Sequence, residues 1–213
     1  MKSQINNLVS KRLVWLDALK GIGILLIMSC HAGLLPRVSI FLTAGYVSIF
    51  FVASGFTYKS KQTFSSEIGK RSKRLLLPYF FYVSLSIILM NIFQIKGDFI
   101  HQVLGMIYSR YSLYFGIKDV GDVSLLTQTC NSPTWFLTAL FTSLMVMYII
   151  KSLKWQWVVI TCLGLSVLTL YLPFLLPWSL DTAFVGALFI YLGKKIRGGN
   201  SGYRMVRLGL VVL

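Results

Sequence analysis

Charge is scarce in this chain, and negative charge scarcest of all. Of 213 residues only 13% are charged, and Asp and Glu number 6 against 21 Lys and Arg. A water-solvated domain carries about a quarter charged residues, so the deficit, with 56% hydrophobic content, excludes an ordinary soluble fold and points to a bilayer as solvent. The 3 cysteines, Cys30, Cys130 and Cys162, are an odd number without zinc spacing, which excludes a disulfide framework and leaves no metal cluster to expect. Internal repeats and low-complexity tracts are lacking. So is a small-residue cleavage site after Lys2, Lys11 and Arg12, and the apolar run that follows reads as a retained anchor. The net charge of +15 is no sign of nucleic acid, because the basic residues sit in short clusters between long apolar stretches.

Those stretches are what the chain has in abundance. A membrane-crossing helix needs about 20 mostly apolar residues, and runs of that kind occupy 14–35, 38–58, 75–95, 134–150, 155–175 and 178–193, with 205–213 opening another. The expected fold is all-α: a polytopic transmembrane helical bundle of six complete spans plus the start of a seventh. Residues 1–213 form one membrane domain that reads as the N-terminal part of a longer one. Cytoplasmic segments hold the excess Lys and Arg, which puts the N-terminus in the cytoplasm. Inside then lie Lys2, Lys11 and Arg12, the Lys70-to-Arg74 cluster, Lys151 and Lys154, and Lys194, Lys195 and Arg197. Outside, Arg37 stands alone, while Lys96, Arg110 and Lys118 are balanced by Asp98, Asp119 and Asp122. The segment after Lys96, with its mixed aromatics and aliphatics, predicts an interfacial helix lying along the membrane surface.

Ionisable groups inside a span are costly and face a protein interior or an aqueous path, which singles out Asp17, Lys20 and His31. From Lys20 to His31 the 11 positions amount to about three full turns plus 20°, so both belong to one face, roughly 16 Å apart along the axis. Asp17, one turn before Lys20, can pair with it. A neutral imidazole is a suitable general base near neutral pH for a hydroxyl attacking an activated carbonyl. The competing readings are snorkelling of Asp17 and Lys20 to the inner headgroups and a His31 bonded to a neighbouring helix. No Gly-x-Ser-x-Gly elbow is present, and Cys30 stands about 100° around the helix from His31.

The second cluster is Lys70-Arg71-Ser72-Lys73-Arg74, just before Leu75-Leu76-Leu77-Pro78-Tyr79. Arg71 and Arg74 project together from one helical turn, and guanidinium forks suit phosphate oxygens; anchoring to lipid headgroups is the alternative. Trp135 fits an interfacial aromatic, Asp181 a helix start, and Ser54-Gly55 a close helix–helix approach.

In this order the motifs resemble those of the membrane acyltransferase-3 family, bacterial multi-pass enzymes that O-acylate surface glycans. Leu16-Asp17-Ala18-Leu19-Lys20-Gly21 through Cys30-His31-Ala32 resembles its first helix, in which a basic residue precedes a histidine by 11 positions. Phe50-Phe51-Val52-Ala53-Ser54-Gly55-Phe56, Arg71-Ser72-Lys73-Arg74 before Pro78, and Trp135-Phe136-Leu137 resemble three further signatures. Many members carry arginine where Lys20 stands.

The resemblance implies an inner-membrane O-acetyltransferase with acetyl-CoA or another acyl-CoA as donor and a cell-surface or exported glycan as acceptor. Arg71, Arg74 and Lys20 would hold the donor, His31 would act as base with Lys20 and Asp17, and Trp135, Asp181 and Ser54 would support substrate or structure. Its other partner is the lipid bilayer; neither nucleic acid nor metal is expected. The competing class is a non-enzymatic transporter or glycan-export component using the same intramembrane charges as a substrate path.

Overall fold

Inside a bilayer no water satisfies the backbone, so a chain this apolar must close its hydrogen bonds within each segment, and helices do so. In the computed structural model, which describes residues 14–31, 39–59, 63–93, 98–110, 134–172 and 174–198, every regular element is helical. We label these α1 (Val14–His31), α2 (Ser39–Phe56), α3 (Phe64–Arg71), α4 (Leu77–Ile92), α5 (Phe99–Tyr108), α6 (Trp135–Ile150), α7 (Trp155–Thr169) and α8 (Leu180–Gly198). The expected run at 205–213 lies outside the described residues.

α3 and α4 form one continuous helix of 29 residues, joined by a π-helical stretch at Ser72–Leu76. The helix therefore starts at Phe64 and not at Leu75, where apolar composition alone would start it. Its length of about 44 Å exceeds a hydrocarbon core of about 30 Å, so the polar α3 turns extend past the apolar stretch and carry the basic cluster with them. Pro78, which has no N–H to give the preceding turn, is the second residue of α4, one residue past the widened π segment. Among the described residues this helix alone is long and apolar enough to cross a membrane. Its outward residues Phe81, Ile88 and Ile92 are exposed, as are Trp157, Leu163 and Leu168 on α7, where only Val158 and Cys162 are buried. Apolar surface on that scale marks contact with another apolar phase.

The packing fixes the direction of each helix. α2 and α8 run parallel, with Gly186 against the Phe51 ring and Arg197 at the Phe56 carbonyl, and between these they touch backbone to backbone: a Cβ on Gly55 would meet the carbonyl of Ile190, and one on Gly193 the carbonyl of Val52. α1 runs antiparallel to α2, with Leu16 buried against Ala53 and Phe56 and Gly23 facing the Phe50 ring. α6 runs antiparallel to the long helix, from Leu137 beside Tyr79, Val83 and Ile87 to Tyr148 beside Phe64. Around Met147 and Ile190, both fully buried, α2, α6, α7 and α8 share the main core.

The expectation of a surface-lying helix after Lys96 is corrected in one respect: α5 folds back along α4. Tyr79 donates its hydroxyl to the Met106 carbonyl at 2.7 Å, and Asn91 donates to the buried Gln102 at 3.2 Å. Polar side chains on an apolar helix find their partners across the pair. At its start Asp98 accepts from the Ile100 amide, and at its end Ser109 adopts a left-handed turn with φ 58°.

Candidate functional site

Where α2 ends, Thr57 and Tyr58 close a turn in which the Tyr58 amide donates to the Gly55 carbonyl at 3.0 Å. The turn delivers the Tyr58 ring, 8% exposed, between two cations from different helices. The Arg71 guanidinium carbon lies 5.1 Å from the ring centre, and Lys194 Nζ of α8 lies 5.7 Å from it. An electron-rich face attracts both.

Arg71 is held a second time. Its Nε donates to Glu67 Oε2 at 2.8 Å, and its Nη2 stands 2.7 Å from the same oxygen. Glu67 lies one turn earlier on α3, the favourable order for such a pair, and is 2% exposed. A carboxylate so far out of water is tolerable because a cation meets it directly.

These groups form one wall of a cavity of about 520 Å³. Lys70, Arg71 and Arg74 come from α3 and the π stretch, Lys59 from the turn after α2, and Arg197 from the last turn of α8. Leu75, Leu140 and Leu144 supply apolar lining, and Ser54 and Thr57 add small polar groups. Five cations face a single carboxylate, and since Glu67 is spent on Arg71 the remaining four carry the excess positive charge. Such a cavity suits a multiply charged anion with an apolar part, and phosphate oxygens match its donors.

The structure thus brings Arg71, Arg74 and Ser54 to one cavity, and places the other expected residues elsewhere. α1 is unbroken from Val14 to His31, the continuity that the shared-face argument requires. Lys20, half-buried, stands between the buried Leu16 and Gly23 on the stripe turned toward α2, whereas Asp17 is exposed. Trp15 packs edge-on against Phe56 at 5.0 Å, at the cavity end of the bundle. His31 closes the helix at the opposite end, about 24 Å further along the axis.

Trp135 opens α6 and packs, half-buried, against the main core. Asp181 sits in the first turn of α8 and pairs with Arg110, whose Nε also donates to the Leu176 carbonyl at 3.1 Å. Around that pair Tyr108 donates to the Leu175 carbonyl and Trp178 Nε1 to the Ile107 carbonyl, at 2.7 and 2.8 Å. This second polar cluster fastens the end of α5 to the start of α8, across Trp178 and Ser179, both in left-handed backbone conformation.

Sequence reasoning missed Glu67, Tyr58, Arg197 and Arg110 as members of these clusters. Only Glu67 had a local signal, its spacing of one turn from Arg71. Among the described residues no group of His, Cys, Asp and Glu could hold a metal ion.

No curated protein and no solved structure matches the chain. The family described as an acyltransferase domain, acyltransferase-3, matches residues 13–213, a range that takes in α1, the Arg71–Arg74 stretch, Trp135 and α8. The chain belongs to the acyltransferase-3 family, whose members are membrane proteins.

Proposed function

We propose that the chain is an integral inner-membrane O-acyltransferase that moves an acetyl or other acyl group from acyl-CoA to a hydroxyl of a surface or exported glycan. The observation that carries this reading is the convergence of Lys59, Lys70, Arg74 and Arg197 on one cavity beside a neutralised Arg71–Glu67 pair. A nucleotide bearing several phosphates supplies the charge that such a cavity lacks. Leu75, Leu140 and Leu144 then offer the pantetheine arm an apolar lining.

In this reading His31 takes the proton of the acceptor hydroxyl as its oxygen attacks the thioester carbonyl. The tetrahedral adduct collapses, the carbon–sulfur bond breaks, and the thiolate leaves and is protonated. Lys20, on the same face of α1 and nearer the cavity, stabilises negative charge on the donor, with Asp17 one turn away. Trp135 and Asp181 support the opposite end, where the acceptor approaches. The chemistry calls for no metal.

The separation of cavity and His31 along α1 requires the thioester to travel most of the helix length, which fits a donor whose reactive group sits on a long, narrow arm. Replacing His31 by alanine tests the reading: glycan acylation in cells should disappear while membrane insertion stays normal. Acylation that persists would remove His31 from the chemistry, and a chain that moves substrate without consuming acyl-CoA would be a transporter.

A further inference from the structure

Lys194, Lys195 and Arg197 read in sequence as topological charge at the end of a span. The structure treats Arg197 differently from its neighbours. α8 can approach α2 to backbone contact only because Gly55 and Gly193 lack side chains, and Arg197 lies one turn after Gly193. The close approach therefore delivers the Arg197 guanidinium to the end of α2, where Nη1 donates to the Phe56 carbonyl at 3.1 Å. That carbonyl belongs to the last turn of α2 and has no amide ahead of it within the helix. Lys194 Nζ goes to the Tyr58 ring and Lys195 Nζ lies 5.9 Å from the Tyr191 ring, so neither does this work.

Resting on the donor reading above, we propose that Arg197 is a phosphate-binding residue of the donor cavity, supplied by α8 and facing the ligand together with Arg74 and Lys70. Two observations and one chemical argument carry this. Arg197 lines the cavity itself. One of its five N–H donors is fixed by the Phe56 carbonyl, which orients the guanidinium and leaves most donors for a ligand. Capping a carbonyl needs no positive charge, whereas recognising phosphate does. With Arg71 compensated by Glu67, cations on the long helix and on α8 address a ligand from two separate elements. That suits an anion with more than one phosphate centre better than a single headgroup.

The test measures binding of acetyl-CoA to the full chain in neutral detergent at fixed ionic strength, for the wild type, Arg197→Gln and Arg197→Lys, with thermal unfolding alongside. Glutamine loses the charge and is two atoms shorter than arginine, whereas lysine keeps the charge on a long side chain. We expect affinity roughly tenfold lower or worse in Arg197→Gln, with partial recovery in Arg197→Lys and an unfolding midpoint close to wild type in both. Wild-type affinity in Arg197→Gln overturns the assignment, as does a loss shared equally by both variants and matched by lowered thermal stability, which marks a cap alone. A second arm adds phosphatidylglycerol: if Arg197→Gln weakens lipid binding but not acetyl-CoA binding, the phosphate it meets is a headgroup and the proposal fails. A wild-type chain with no affinity for acetyl-CoA removes the donor reading first and this assignment with it, an outcome distinct from a binding-competent protein indifferent to Arg197.

Discussion

Arg71 directs both its Nε and its Nη2 to one carboxylate oxygen of Glu67, a residue 2% exposed and one helical turn earlier. The pair fixes the guanidinium beside Tyr58 and cancels its charge, so Arg71 frames the cavity while Arg74, Lys70, Lys59 and Arg197 give it its sign. Removing Glu67 alone leaves a cation whose side chain is 15% exposed without its counter-charge. For Glu67→Ala we expect a loss of about 3 kcal/mol in stability, and about half that for Glu67→Gln, whose amide oxygen can still accept. Thermal unfolding in detergent reads the difference. Equal, negligible effects would show that the pair contributes nothing.

Glycine substitutions separate backbone contact from helix propensity. Alanine in a helix interior ordinarily gains about 1 kcal/mol over glycine, and Gly164, with open space around it, should show that gain or no change. At Gly55 the new methyl would strike the Ile190 carbonyl, so Gly55→Ala should lower the unfolding midpoint and loosen α8 from α2. A stabilising Gly55→Ala would contradict the packing.

The Arg110–Asp181 pair joins the end of α5 to the start of α8 at the end of the bundle away from the basic cavity. Asp181→Ala should destabilise the fold by about 3 kcal/mol, because it removes the counter-charge of a largely buried cation. Acetyl-CoA binding by the folded fraction should be unchanged. Thermal unfolding in detergent gives the structural readout, and an acetyl-CoA affinity that falls with Asp181 would show that the two ends are coupled.

Much of this arrangement is legible in local spacing. Apolar runs mark the helices, since bilayer solvation demands them; the three-residue interval between Arg71 and Arg74 puts both on one cavity; and Ser54-Gly55 marks a close approach that Ile190 confirms. What spacing cannot show is which distant segments meet. Arg197 reaches the cavity only through the parallel packing of α8 on α2, and Arg110 finds Asp181 only because α5 folds back along α4. The helix start at Phe64 is hidden for another reason: α3 is polar, so apolar composition stops short of it. Lys20 and His31 share α1, and their spacing is a property of that helix alone.

Arg74 offers the sharpest test, because it lines the cavity without sharing the carboxylate that holds Arg71. Equilibrium binding of acetyl-CoA to the full chain should weaken about tenfold or more in Arg74→Gln, with a shallower dependence on salt and an unfolding midpoint near that of the wild type. Unchanged affinity and unchanged salt dependence would contradict the reading of this cavity as the acyl-donor site.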